Sequence, residues 1–310
     1  MRRLLPWLTL GMVCLSPCVF GQGPRSHYIV EGITPAVAIR YGQVDCPLDL
    51  DLFLPTGEAK SRPKLPVIVF IHGGAWMSGF RQDIPPQMIA YAKQGFAVAT
   101  IDYRSSRWEK FPANVHDVRA AVRFLRSNAA SWGLDPDRIA LVGFGSGGHL
   151  ALVAGLAGPE LDGSVGDHDE VPSRVQAVVS FHGPTNMQTI LRQDTPGGVG
   201  KHRTPVEFLL GGDPAKFANL AKQASPVNHV RAGGPPILLV HGDADDQIPV
   251  AQVTEMEAAC KKSGAAVECV VFKGHTHRNL RVFDRQRAEP MESFLDKHLE
   301  PGSQTPAETP

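Results

Sequence analysis

Residues able to do chemistry together fall in four short runs. In Gly143-Phe144-Gly145-Ser146-Gly147-Gly148-His149 a strand-like stretch (138–142) turns sharply into a helix-like one (150–156). That is the setting of a nucleophile elbow, whose apex carries the attacking hydroxyl. The residues two places either side of the apex are small, because strand and helix backbones meet there. The hydroxyl on offer is Ser146, but the small flanking pair, Gly143 and Gly147, is centred on Gly145. In the second run, His72-Gly73-Gly74-Ala75-Trp76, two glycines follow the apolar stretch 67–71 and can present backbone amides to a developing oxyanion.

The other two runs could supply an acid and a base. His241-Gly242-Asp243-Ala244-Asp245-Asp246-Gln247-Ile248-Pro249 follows the apolar stretch 237–240. A loop there can hold a carboxylate against an imidazole; Asp245 is the expected acid, with Asp243 and Asp246 as competitors. His277, in Lys273-Gly274-His275-Thr276-His277, stands at the last strand-to-helix junction, where a general base must reach back to the elbow, and His275 is its rival. The chain order of elbow, acid and histidine is that of α/β-hydrolase triads. As metal ligands, His275 and His277 lack a cysteine or carboxylate partner at ligand spacing, so neither a metal nor an organic cofactor is expected. Gly143-x-Gly145-x-x-Gly148 also spells a dinucleotide fingerprint. The next strand candidate, however, ends Ser180-Phe181-His182 without the acidic residue that would bind a ribose.

These runs need a scaffold, and alternating strand and helix patterns provide one. Strands are predicted at residues 36–40, 48–54, 67–71, 97–101, 139–142, 177–181, 237–240 and 267–272. The expected architecture is α/β, a mostly parallel central sheet of about eight strands with helices on both faces. Residues 115–132 read as a surface-lying amphipathic helix, with Val115, Val118, Val122, Phe124 and Leu125 on one face and Arg119, Arg123 and Arg126 on another. Further helices follow Ser146, follow Pro249 and span 288–299. Residues 183–230, with Gly197, Gly198, Gly200, Gly211 and Gly212, are the place for a small partial cap or a plain connecting excursion.

A chain of 310 residues that is 43% hydrophobic has ample apolar mass for one large core. Its 31 basic residues balance 31 acidic ones, so no net field favours nucleic acid, an anionic membrane or a polyanionic substrate. The expected partner is a small ester. Residues 1–22 carry Arg2 and Arg3, an apolar run and then Gly21, the pattern of a secretory signal cleaved after Gly21. Pro6, Gly11 and Pro17 interrupt the run, which is short for a membrane span, so no stable anchor is expected and the location is secreted or periplasmic. Leu15-Ser16-Pro17-Cys18 approaches a lipoprotein signal, with Pro17 where a small residue belongs. The hydrolase domain is expected at 23–300 and a disordered tail at 301–310. Once Cys14 and Cys18 leave with the signal, Cys46, Cys260 and Cys269 remain. That odd number argues against a disulfide framework; Cys260 and Cys269 could bridge, but Cys269 lies in an apolar strand-like run that favours a buried free thiol.

Together these segments resemble secreted α/β hydrolases of the bacterial feruloyl-esterase-like and carboxylesterase group, related to hormone-sensitive-lipase-like and arylformamidase-type enzymes. The matching pieces are Leu50-Asp-Leu-Phe-Leu-Pro55, His72-Gly-Gly-Ala-Trp76 with Gly79, Asp102-Tyr-Arg104, Phe111-Pro112 with Asp117, Gly147-Gly-His-Leu150, Gly183-Pro-Thr185, Ser225-Pro226 and His241 to Pro249. The resemblance implies the α/β-hydrolase fold, Gly73 and Gly74 in the oxyanion hole, Asp245 as the acid and His277 as the base. It also puts the family's nucleophile position at Gly145, which has no side chain, and Ser146 at the next place, where relatives use a backbone amide. In one outcome the turn slips by one residue, making Ser146 the nucleophile and bringing the Gly147 amide into the oxyanion hole. The expected protein is then a serine-type hydrolase of short-chain, aryl or acetylated-sugar esters, with Ser146, His277 and Asp245 as its triad. In the other the serine nucleophile is absent, and the protein either binds an ester or carbohydrate without cleaving it or lets His277 and Asp245 activate water directly.

Overall fold

The computed structural model describes residues 30–57, 63–193, 195, 205–280 and 284–299. The signal at 1–22, the tail at 301–310, and Gly197, Gly198 and Gly200 of the expected cap lie outside the described residues.

Eight strands form one sheet: β1 (Ile33–Gln43), β2 (Pro47–Pro55), β3 (Leu65–Ile71), β4 (Ala97–Ile101), β5 (Leu134–Phe144), β6 (Ala177–Phe181), β7 (Ile237–Gly242) and β8 (Val267–Phe272). Their order is β1-β2-β4-β3-β5-β6-β7-β8, and β2 alone runs against its neighbours. Every residue of β3, β4, β6 and β7 is buried, which explains their unbroken apolar runs: a central strand covered on both faces has no side to give to polar residues. Residues alternate between two cores. Val67, Val69 and Ile71 join the helices α1 (Ala113–Ser127), α2 (Ser146–Leu156) and α3 (Ala251–Ser263), while Ile68 and Phe70 join α4 (Arg285–Leu299) on the opposite face.

The winding of the chain decides where a ligand can sit. With β4 on one side of β3 and β5 on the other, the chain winds outward both ways from β3, opening a crevice at the carboxyl ends of β3 and β5. The His72 to Trp76 turn and the elbow both lie at those ends.

Two expectations are corrected. Helix α1 is not a surface helix with a solvated arginine face, because Arg119, Arg123 and Arg126 are buried with the valines. Their guanidinium groups donate to backbone carbonyls of other segments. Arg119 donates to Ala154 at 3.1 Å and to Gly158 at 3.0 Å, around the carboxyl end of α2, and pairs with Asp162 at 2.7 Å. Arg126 donates to Pro136 at 2.8 Å and Arg174 at 2.6 Å. The cysteine count misled at Cys46, which is held in a disulfide; Cys260 and Cys269 are free thiols, as expected for Cys269 in its apolar strand-like run.

Candidate active site

β5 ends at Phe144 and α2 begins at Ser146, leaving Gly145 alone between them with φ 55° and ψ −118°. That backbone conformation is costly for a residue with a side chain, and it turns the chain sharply enough to start a helix directly on a strand. Its neighbours two places away make the turn tight. A Cβ on Gly143 would lie 2.2 Å from the Gly147 carbonyl oxygen, and one on Gly147 would lie 2.0 Å from the Ile71 oxygen. Both positions therefore need glycine, and both are counted from Gly145. A turn centred on Ser146 would bring Phe144 into the close approach that Gly143 makes. The slipped elbow is thus not the conformation found: Gly145 is the apex, and Gly147 is wedged against the end of β3.

Ser146 occupies the first position of α2. Its hydroxyl is buried and meets no partner at full hydrogen-bond geometry. It sits close enough to the Tyr103 phenol to ease that group's ionisation against the stronger upward push of burial. The Tyr103 hydroxyl itself donates to the His72 carbonyl at 3.0 Å. The structure does not bring Ser146 into a hydrogen bond with His277. What Ser146 can offer the cavity is its backbone N–H, one of the first amides of α2 and so without a partner within the helix.

Gly73 and Gly74 line the same cavity. A Cβ on Gly74, at φ 118°, would fall 1.9 Å from the Ser78 oxygen, so this turn too depends on a missing side chain. Ala75 and Trp76 follow at φ 56° and 60°, two successive left-handed residues that a protein maintains only where the surroundings enforce them. The enforcement is visible. The Trp76 indole donates to Nδ1 of His149 at 3.0 Å, and Nε2 of His149 donates to the Ala224 carbonyl at 2.7 Å. This relay ties the glycine turn to α2 and assigns His149 a positioning role that the sequence reading did not give it. Burial lowers the His149 pKa to about 4, keeping the ring neutral and able to accept from the indole.

On the other side of the crevice, Oδ1 of Asp245 accepts the backbone N–H groups of Gln247 and Ile248, both at 2.8 Å. Its Oδ2 accepts from Nδ1 of His277 at 2.9 Å. Burial alone would raise the Asp245 pKa, but the His277 hydrogen bond and charge, with the two amides, outweigh it and hold the carboxyl below its ordinary range. Asp243 and Asp246 are exposed, and His275 turns Nδ1 toward the Lys273 carbonyl at 3.1 Å. Of the alternatives left open by the sequence, Asp245 and His277 are the pair brought together. Nε2 of His277 then faces the elbow: a Cβ built on Gly145 would lie 3.8 Å from it.

The sequence reading missed His182. It follows β6 at φ 42°, is buried, and packs its ring edge-to-face on His277 with centroids 4.1 Å apart. The same Gly145 Cβ would lie 3.6 Å from Nδ1 of His182. The available signal was its place just past a central strand beside the elbow strand, where ligand-facing residues concentrate. His182, Asp245 and His277 also bring donor atoms within 4.8 Å of one another, the reach of a single metal ion. With Oδ1 of Asp245 held by two backbone amides, a cation there would compete with the Asp245–His277 hydrogen bond. His182, His277 and the two glycine turns close round a cavity of about 740 Å³ whose walls include Met77, Phe144, Ile190, Val206 and Ile248. Such walls suit an uncharged acyl or aryl group.

A sheet of this order, crossed by one reversed strand and carrying an elbow at the end of β5, makes the chain an α/β hydrolase of the hormone-sensitive-lipase-like esterase kind. More narrowly, it belongs to the BD-FAE family, whose model matches residues 50–260. It is 29% identical to Esterase LipQ of Mycobacterium tuberculosis over 88% of this chain and 64% of that protein. It is 30% identical to isoprenylcysteine alpha-carbonyl methylesterase ICME of Arabidopsis thaliana over 94% of this chain and 68% of that protein. The chain thus spans about two thirds of the length of these relatives. Among solved structures, a truncated carbohydrate esterase from gut microbiota superposes with a TM-score of 0.76 at 31% identity, covering 86% of this chain and 96% of that one. The propionate-bound esterase Est2 of Thermogutta terrifontis gives 0.70 at 30% identity, covering 87% and 97%. Among the described residues no helix is long and apolar enough to cross a membrane.

Proposed function

We propose that the protein hydrolyses carboxylic esters by general-base catalysis, with a water molecule beside Gly145 doing the work of a serine hydroxyl. The observation that carries this reading is the Gly145 hollow, whose missing Cβ would lie 3.8 Å from Nε2 of His277. A side chain is absent there, while His277, hydrogen-bonded to Asp245, and the two glycine turns border the same crevice. Water in the hollow gives a proton to His277 as its oxygen attacks the acyl carbon. Asp245 keeps the ring in the tautomer that leaves Nε2 free to accept and stabilises the imidazolium that forms. The amides of Gly73, Gly74 and Ser146 are aimed at the oxyanion. Collapse of the tetrahedral intermediate breaks the ester C–O bond, and His277 returns the proton to the departing alcohol. Short-chain, aryl and acetylated-sugar esters all fit a mostly apolar cavity of this size, and residues 1–22 support a secreted or periplasmic site of action.

A second reading keeps Ser146 as the nucleophile of a two-step acyl transfer. Its hydroxyl, at the cavity wall and held by no well-formed hydrogen bond, favours that route. Turnover of a short-chain aryl ester by the wild type and by Ser146→Ala separates the two. The water route expects the variant to keep the wild-type rate within a few-fold, whereas complete loss would establish Ser146 as the nucleophile. An inactive wild type beside an active Gly145→Ser would instead identify a binding protein on a hydrolase scaffold.

A further inference from the structure

The Gly145 hollow has a second imidazole on its wall. The position a Cβ would take is 3.6 Å from Nδ1 of His182 and 3.8 Å from Nε2 of His277, and among the described residues no other comes nearer apart from the chain neighbours. A water oxygen cannot occupy that point itself, a bond length from Cα; standing off to van der Waals contact with Gly145 and displaced toward the two rings, it approaches both nitrogens. We infer that His182 is a second catalytic residue, which holds the attacking water jointly with His277. This inference rests on the water route proposed above.

The chemistry gives each ring a separate task. Water has two O–H donors. One points to His277 Nε2, which removes the proton, and the other to Nδ1 of His182, in the tautomer whose proton is on Nε2. The oxygen lone pairs are then left facing the acyl carbon. His277 takes the proton as the C–O bond forms and delivers it to the alkoxide as the ester bond breaks; His182 stays neutral throughout. An elbow serine would not need this help, because a covalent bond already fixes its hydroxyl.

The fold treats His182 as a residue to be aimed. Its backbone is left-handed at φ 42°, a conformation that costs on the order of 1 kcal/mol or more for a residue other than glycine. It is fixed by donation of its N–H to the Val240 carbonyl at 2.7 Å. The ring lies among Phe144, at 6.0 Å between centroids, and His277, at 4.1 Å. Phenylalanine is close to the imidazole in shape but lacks its nitrogens, so that substitution isolates what the nitrogens do.

The test is a double-mutant cycle on aryl-ester kcat/KM, with His182→Phe made in the wild type and in Gly145→Ser. His182→Phe is expected to lower kcat/KM roughly 10- to 100-fold in the wild type and less than about 3-fold in Gly145→Ser, where the hydroxyl is tethered. His182→Asn, whose Oδ1 can replace the Nδ1 acceptor, should recover part of the loss. It also serves as the reporter if the phenylalanine variant does not fold. Equal losses in both backgrounds would assign His182 a structural role and overturn the proposal, as would full activity of His182→Phe in an active wild type. A wild type that cleaves no ester beside an active Gly145→Ser would instead bring down the hydrolytic reading itself.

Discussion

The two sides of the crevice are built by different means. On the Asp245–His277 side, position is set by side chains: a carboxylate fixed by two amides at 2.8 Å and an imidazole fixed by that carboxylate at 2.9 Å. On the elbow side it is set almost wholly by backbone, through close approaches at Gly143 and Gly147 and a strained apex at Gly145. An elbow can therefore be complete as architecture and still lack a nucleophile. The comparison teaches that the geometry which presents a serine does not depend on the serine, so the chemistry at the apex can be changed without rebuilding the fold.

The sharpest way to break this comparison is to attack the side-chain half. His277→Ala should lower ester turnover by roughly 100- to 10,000-fold, the range over which general bases contribute, as measured by steady-state kinetics. The backbone half should respond in stability rather than chemistry. Gly147→Ala forces a Cβ to within 2.0 Å of the Ile71 oxygen, and urea unfolding should show a loss of about 3 kcal/mol or more.

Acid should act on the anchors of the glycine turn. Burial lowers both His72 and His149 to about 4, so between pH 6.5 and 4 the unfolded chain binds protons at these sites that the folded chain refuses. Their stability contribution is complete above about pH 6.5 and falls as pH drops toward 4, by up to about 3 kcal/mol per site. Thermal midpoints recorded from pH 7 to 5 should decline, and His149→Asn should flatten the decline.

Gly145→Ser should then join the two halves. A hydroxyl at the apex meets His277, raising kcat/KM about 10- to 100-fold and allowing covalent capture by an organophosphonate, at a cost of about 1 kcal/mol for a side chain at φ 55°. The smallest effect is expected at Ser146→Ala, within about 3-fold of wild type, because its amide rather than its hydroxyl serves the oxyanion.

Much of this was legible in the sequence for identifiable reasons. Fully apolar runs such as 67–71 and 97–101 mark central strands because burial on both faces removes any alternation. The positions of Asp245 and His277 follow from the ends of β7 and β8, where loops face the crevice. What could not be read depends on contacts between distant segments. The spacing of Gly143 and Gly147 already pointed to Gly145, but only the approach of α2 to β3 rules on whether the turn can slip. The arginines of α1 resembled a solvated face because their carbonyl partners come from residues 136–174, which one helix's periodicity cannot reveal. His182 stayed hidden because a histidine after an apolar strand carries no distinctive spacing. Its meaning comes from the 4.1 Å packing on His277.

The central claim is that ester cleavage proceeds without a covalent intermediate on the elbow. Intact-mass spectrometry of the wild-type protein, quenched during turnover of an aryl ester and again after exposure to an organophosphonate, tests it most directly. The account predicts unmodified protein in both samples while the aryl alcohol accumulates. One equivalent of acyl or phosphonyl group mapped to Ser146 would contradict it.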